Sequence, residues 1–84
     1  MLSPDGAIGE ELRHARDSAG LSLDEISSRT KIRVRILESI EANDYSMCGG
    51  ETYARGHVRQ MAKVVGLDPD ELVGRVNWST LDSG

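Results

Sequence analysis

The sequence is poor in the residues that build sheets, disulfides and metal sites. It has no Phe, aromatic residues make up 4% of it, and it contains one Cys and two His. A single Cys cannot close a disulfide within the chain, and these His and Cys residues have no metal-ligand spacing. It also lacks a run of about 18 apolar residues and a basic-then-apolar leader, so we expect neither a membrane span nor a secretory signal here. These absences favour a soluble, cytoplasmic domain.

The usual signatures of catalysis are also missing. Gly49-Gly50 has neither the preceding strand nor the Lys of a phosphate-binding loop. There is no Cys/His or Ser/His/Asp arrangement on a plausible scaffold. We therefore expect no enzymatic activity, cofactor, metal or small-molecule substrate. His14 is expected at the surface, and His57 is expected on an exposed or half-exposed face.

The 84 residues suffice for one small domain, because a chain of this length buries only about 60% of its unfolded surface. Its apolar residues recur with helical rather than strand spacing. We predict an all-α domain over residues 1–76 and a polar tail or start of a linker over 77–84, where Trp78 lies. The predicted helices are Ala7–Ala19, Leu23–Thr30, Arg33–Ala42, Tyr53–Val65 and a fifth from Pro69 to about Val76, with a loop over residues 44–52. Their predicted inward stripes are Ile8, Leu12, Ala15 and Ala19 in the first helix, Ile36, Leu37 and Ile40 in the third, and Ala54, Val58, Met61, Ala62 and Val65 in the fourth.

Local signals mark several of these helix ends. Ser22 and Glu25 have the spacing of a capping box, in which each residue binds the other's backbone N–H. Asp68 and Glu71 have the same spacing before the fifth helix. Gly20 is expected to end the first helix in a left-handed conformation.

The second and third helices fit the helix-turn-helix pattern. Its four apolar positions form the wedge between the two helices, and here they are Ile26, Ile32, Leu37 and Ile40. The turn position that is usually Gly is Lys31. We expect either that Lys31 adopts a conformation unfavourable to a Cβ, at a cost of about 1 kcal/mol, or that the turn is slightly re-shaped.

Basic charge is concentrated at this motif, although the net charge of the chain is -4. Residues 29–35 contain four basic side chains and no acid. Arg33 and Arg35 could face the major groove or phosphates, with Val34 against a thymine methyl group. The alternative is a solvated helix face, which Glu38 and the net charge favour. The candidate DNA-binding residues are Arg29, Lys31, Arg33, Val34, Arg35 and Ser39.

The chain from Ile8 to Leu72 resembles the cytoplasmic helix-turn-helix domain of the RodZ family of bacterial cell-shape proteins, within the phage-repressor-like, XRE-type class. The resemblance is carried by "TKIR" with the following "LE" and "IE", and by "TYARGHVRQMAKVVGLDPDEL". It implies a five-helix phage-repressor-like fold that binds a cytoplasmic protein partner, cytoskeletal or of the division or envelope machinery. In that family a linker, a transmembrane helix and an extracytoplasmic domain follow.

The resemblance also implies residue roles. In the family, two aromatic residues of the fourth helix dock on the actin-like filament protein MreB, and they correspond to His57 and Met61, neither of which is aromatic. An Arg–Glu pair that braces the first and third helices of phage-repressor domains corresponds to Arg16 and Glu41. Cys48 corresponds to a position that is commonly apolar in the family, so it is expected to be a small buried or half-buried hydrophobe rather than a redox sensor. The candidate partner-binding residues are Tyr53, Arg55, His57, Arg59, Met61 and Lys63.

Two functions stay open at this point. The first is the cytoplasmic domain of a RodZ-like protein that recruits a protein partner through its fourth helix and contacts DNA through its third. The second is a sequence-specific transcriptional regulator, which would bind duplex DNA as a dimer. The basic ridge Arg55, Arg59 and Lys63 fits phosphate, anionic lipid headgroups, an acidic partner or solvent alone.

Overall fold

The computed structural model describes residues 8–76, so the predicted tail with Trp78 lies outside the described residues. Residues 8–76 contain helices and turns but no strand, which confirms the five-helix, all-α prediction. A 3₁₀ turn at Ser46–Cys48 connects the third and fourth helices. The helices are α1 Gly9–Ser18, α2 Leu23–Thr30, α3 Val34–Glu41, α4 Glu51–Val65 and α5 Pro69–Arg75.

The predicted caps of α1 and α2 are confirmed. Ser22 Oγ accepts a hydrogen bond from the N–H of Glu25 at 3.1 Å, and the Glu25 carboxylate accepts one from the N–H of Ser22 at 2.9 Å. Gly20 has a φ of +71°, and its N–H and that of Leu21 donate to carbonyls in the last turn of α1. These bonds satisfy groups that a helix end otherwise leaves unpaired.

Other local predictions are wrong. Helix α4 begins at Glu51 rather than Tyr53, and the predicted loop over residues 44–52 contains the 3₁₀ turn. Ala19 is exposed instead of buried, because α1 ends before it.

The box before α5 forms only in part. The Asp68 carboxylate accepts from the N–H groups of Asp70 and Glu71 at 3.0 and 3.3 Å. The Glu71 carboxylate instead pairs with Arg75 Nε at 3.1 Å, one turn along α5.

A shared apolar core joins the five helices. The wedge residues Ile26, Ile32, Leu37 and Ile40 are at most 4% exposed, which confirms the seam between α2 and α3. Ile36, which was predicted to face inward, is only partly buried and packs against the edge of this core. The predicted buried stripe of α4 is also confirmed, and consists of Ala54, Val58, Met61, Ala62 and Val65.

An ion pair joins α1 to the end of α3. Arg16 donates through Nε to Glu41 Oε2 at 2.7 Å and through Nη2 to Oε1 at 3.0 Å, and its Nη1 donates to the Leu21 carbonyl at 3.2 Å. The side chains of Arg16 and Glu41 are 15% and 8% exposed. The hydrogen bond from Glu41 raises the pKa of Arg16 above its ordinary value, so the guanidinium stays charged. The predicted Arg16–Glu41 pair is thus present and braces α3.

The start of α1 lies directly against the end of α3. The N–H of Gly9 donates to Asn43 Oδ1 at 2.8 Å, which satisfies one of the free donors of the first turn. A Cβ at Gly9 would lie 2.3 Å from the carbonyl oxygen of Glu41, closer than any two such atoms can approach. Only Gly fits this position at this helix separation.

Candidate nucleic-acid interface

The turn between α2 and α3 is held by its own hydrogen bonds. Lys31 has φ 65° and ψ 19°, which is the left-handed region, so the first of the two predicted alternatives, a backbone conformation unfavourable to a Cβ, is the one adopted. Its N–H donates to Ser27 O at 2.8 Å. The buried Thr30 hydroxyl donates to Ile26 O at 2.8 Å and accepts from the N–H of Ile32 at 3.2 Å. These bonds fix the direction in which α3 leaves the turn.

Helix α3 presents a mixed outward face. Arg33 caps its start with an extended backbone and is exposed, as are Arg35 and Glu38. Val34 and Ser39 are partly buried at the two sides of this face. Arg35 precedes Glu38 by three residues and Ser39 by four, so the three side chains are neighbours on the helix surface.

Ser39 is engaged within the protein. Its hydroxyl lies 3.0 Å from the Arg35 carbonyl oxygen and 3.0 Å from the sulfur of Met47. The single hydroxyl proton can serve only one of these two acceptors at a time. Both contacts use the hydroxyl as a donor, so its lone pairs remain available to an external donor. Met47, which is 46% exposed, is not among the residues predicted from the sequence, because the 3₁₀ turn that carries it was not predicted.

Four basic side chains, those of Arg29, Lys31, Arg33 and Arg35, lie around the turn and at the start of α3. All four are exposed, and none forms an ion pair with any residue between 8 and 76. No acid occurs between Ser27 and Leu37. The surface therefore carries four positive charges that form no ion pair, with Glu38 as a neighbouring acid, although the chain is acidic overall. We call this set the α2–α3 basic surface: Arg29, Lys31, Arg33 and Arg35.

The basic ridge of α4 differs in this respect. Arg55 pairs with Glu51 of the same helix, and Arg59 Nη1 pairs with Asp70 of α5 at 2.6 Å. Lys63 is exposed and forms no ion pair within the described part of the chain. Most of the charge of this ridge is therefore compensated by carboxylates of the domain itself.

The remaining candidates on α4 lie in different environments. Tyr53 is 63% exposed, whereas His57 is partly buried, and this burial lowers the pKa of its imidazole. Met61 is fully buried, so the prediction that it contributes to a partner-binding surface is wrong. The helical period places Met61 on the same side as Val58 and Val65, in the core.

The expected burial of Cys48 is confirmed. It is 5% exposed, and this burial raises the pKa of its thiol. Residues 8–76 contain no cluster of His, Cys, Asp or Glu suited to a metal ion. In the same range, no helix combines the length and apolar character needed to span a bilayer.

The fold and the sequence agree with known helix-turn-helix proteins. A family model described as a helix-turn-helix domain matches residues 11–72, which is most of the chain. The chain belongs to this helix-turn-helix domain family. The match includes α2, the Lys31 turn and α3, and it extends through α4 into α5.

Two curated relatives are similar to this helix-turn-helix domain. The cytoskeleton protein RodZ of Streptococcus pneumoniae is 42% identical over 66 residues, which are 79% of this chain and 24% of RodZ. The membrane protein YmfM of Bacillus subtilis is 40% identical over 52 residues, which are 62% of this chain and 18% of YmfM. The chain thus spans about a quarter or less of these relatives, and its resemblance to RodZ is confirmed.

A solved structure shares the fold. YmfM of Staphylococcus aureus, a membrane protein proposed to bind DNA, superposes with a TM-score of 0.74 at 33% sequence identity. The match covers 80% of this chain and 82% of that one.

Proposed function

We propose that this helix-turn-helix domain is a non-enzymatic binding module, the cytoplasmic part of a RodZ-like protein, and that it binds double-stranded DNA through the α2–α3 basic surface. The observation that carries this proposal is that the four basic side chains have no carboxylate partner within residues 8–76. Unpaired cations exchange their counterions for phosphates without first breaking an internal ion pair, so binding gains the full entropy of counterion release.

The dimensions of the motif support this mode of binding. An α-helix with its side chains is about 10–12 Å across, which fits the major groove width of about 12 Å. Helix α3 has 8 residues and is about 12 Å long, so several of its outward side chains can reach the groove. Arg33 and Arg35 lie at its start, the end of the helix that contacts base edges in helix-turn-helix complexes. Arg29 and Lys31 flank the turn, where phosphate contacts are expected. The wedge and the Arg16–Glu41 pair hold α3 in this orientation.

The experiment is a salt titration of binding to a fluorescently labelled duplex. We expect a linear log–log dependence of affinity on salt, and we expect Arg33→Ala with Arg35→Ala to reduce its slope by about 1.8, or about 0.9 for each phosphate that is no longer neutralised. The matched control is Arg55→Ala with Arg59→Ala, which removes equal charge from α4. Absence of duplex binding at low salt, or equal reductions in the two double variants, would contradict the proposal.

A second candidate function is docking of a protein partner on α4. Tyr53 favours it, because a tyrosine that is 63% exposed is the kind of side chain that anchors protein interfaces. The partner would be a cytoskeletal, division or envelope protein. Co-sedimentation with actin-like filaments tests this function, with Tyr53→Ala expected to reduce binding and Arg33→Ala expected to leave it unchanged.

Two further alternatives are less supported. An anionic membrane surface would have to compete with Glu51 and Asp70 for Arg55 and Arg59. A transcriptional regulator of the phage-repressor-like class requires a dimer whose half-sites lie about 34–36 Å apart. Sedimentation equilibrium with and without duplex distinguishes this regulator from a module that binds as a monomer.

A further inference from the structure

Glu38 lies within the proposed DNA-binding face. Helix α3 carries two acids, and Glu41 is largely buried against Arg16. Glu38 is exposed and forms no ion pair with any residue from 8 to 76, although Arg35 lies one turn earlier on the same face. The Glu38 carboxylate is therefore available to accept a hydrogen bond from a molecule that binds at α3.

A carboxylate at this position has opposite effects on affinity and selectivity. Phosphates repel it, so it weakens binding to every duplex. The Glu38 carboxylate also loses water when it lies against the bases, and this loss is costly unless a base supplies a hydrogen-bond donor in its place. A base edge that offers no donor therefore adds a further penalty to binding. The N4 amino group of cytosine is a donor in the major groove that relieves this penalty. The N6 amino group of adenine relieves it less well, because the N7 acceptor beside it repels a carboxylate. Selectivity then arises from penalising the wrong bases.

We propose that Glu38 is a specificity-determining residue that accepts a hydrogen bond from the N4 amino group of cytosine, while Arg35 binds a guanine nearby. This inference rests on the proposed DNA binding. Side chains three residues apart on a helix have Cβ atoms about 5–6 Å apart. Because base pairs along the duplex are about 3.4 Å apart, the cytosine and the guanine lie one or two base pairs from each other.

The test is selection from a randomised duplex library with the domain and with Glu38→Gln. Glutamine pairs with adenine through N6 and N7, so we expect the preferred base at one position to change from cytosine towards adenine. Discrimination for cytosine should fall roughly ten-fold, while affinity for unselected duplex rises because a negative charge is removed. Glu38→Ala should lose the preference without gaining adenine.

The matched control is Glu10→Gln, which neutralises an exposed acid in the first turn of α1. It should leave the base preference unchanged, and thermal melting of each variant verifies folding. If Glu38→Gln and Glu38→Ala select the same sequence as the unmodified domain with the same discrimination, this inference is overturned and DNA binding stands. If the unmodified domain binds no duplex at low salt, both proposals are overturned.

Discussion

At the scale of residues, the ion pairs of the domain differ in how much water reaches them. The side chains of Arg16 and Glu41 are 15% and 8% exposed, whereas those of Arg75 and Glu11 are both 41% exposed. The hydrogen bond to the carboxylate raises the pKa of the arginine in both cases. Exposed pairs contribute at most about 1 kcal/mol, but removing one member of a buried pair leaves the other charge stranded.

We therefore expect Arg16→Ala to lower the free energy of unfolding by about 3–5 kcal/mol, and Arg75→Ala to lower it by less than about 1 kcal/mol. Urea denaturation measures both. Arg16→Met combined with Glu41→Leu should recover most of the loss, because apolar side chains can replace a buried pair at little cost. A double variant as unstable as Arg16→Ala alone would show that the stranded charge is not the cause.

Lys31 allows a second prediction at this scale. Its φ of 65° is unfavourable for a residue with a Cβ. Lys31→Gly should raise the free energy of unfolding by up to about 1 kcal/mol, as measured in urea. Lys31→Ala removes the same charge but keeps the Cβ, so it should bring no such gain. Equal stabilities of the two variants would place the cause in the charge rather than the backbone.

At the scale of elements, the start of α1 and the end of α3 approach each other so closely that no Cβ fits between them. Gly9→Ala would put a Cβ 2.3 Å from the Glu41 carbonyl oxygen, so the helices must separate and the bond from Gly9 to Asn43 must stretch. We expect a loss of about 1–3 kcal/mol or more in thermal or urea unfolding. The control is Gly56→Ala within α4, where a Cβ meets open space. It should stabilise by about 0.5–1 kcal/mol, and an equal loss there would contradict the steric argument.

Elements differed in how well their sequences predicted them. The capping box made the start of α2 predictable, while α4 begins after Gly50, which offers no side-chain cap. The 3₁₀ turn did have a local signal. The Asp44 carboxylate accepts from the N–H and hydroxyl of Ser46 at 3.0 and 2.7 Å, and this lowers the pKa of Asp44. An Asp two residues before a Ser is common, however, so it predicts little by itself.

At the scale of the whole molecule, the five helices share one core. Helix α5 and the residue after it contribute Leu72, Val73 and Val76, and each is at most 7% exposed. Burial of each such side chain is worth about 1.5–3 kcal/mol, in a domain whose total stability is expected to be about 5–15 kcal/mol. Helix α5 is therefore part of the folding unit.

A chain that ends at residue 67 should lack a cooperative thermal transition, because the core loses these three side chains. Calorimetry or circular dichroism checks this expectation. The control is Arg59→Ala with Arg75→Ala, which removes ion pairs of α5 with α4 and α1 but keeps its apolar face. The control should still unfold cooperatively. Cooperative melting of the shortened chain would show instead that α1 to α4 form a core without α5.

The sequence by itself determined the helices, the wedge and the position of the α2–α3 basic surface, because periodicity and caps act between residues within about four positions of each other. Tertiary structure decided which charges remain free. Arg16, Arg59 and Arg75 find carboxylates on other helices, and the pair of Arg75 with Glu11 is separated by 64 residues. Such pairing joins side chains that are distant in the sequence, so it depends on how the helices pack.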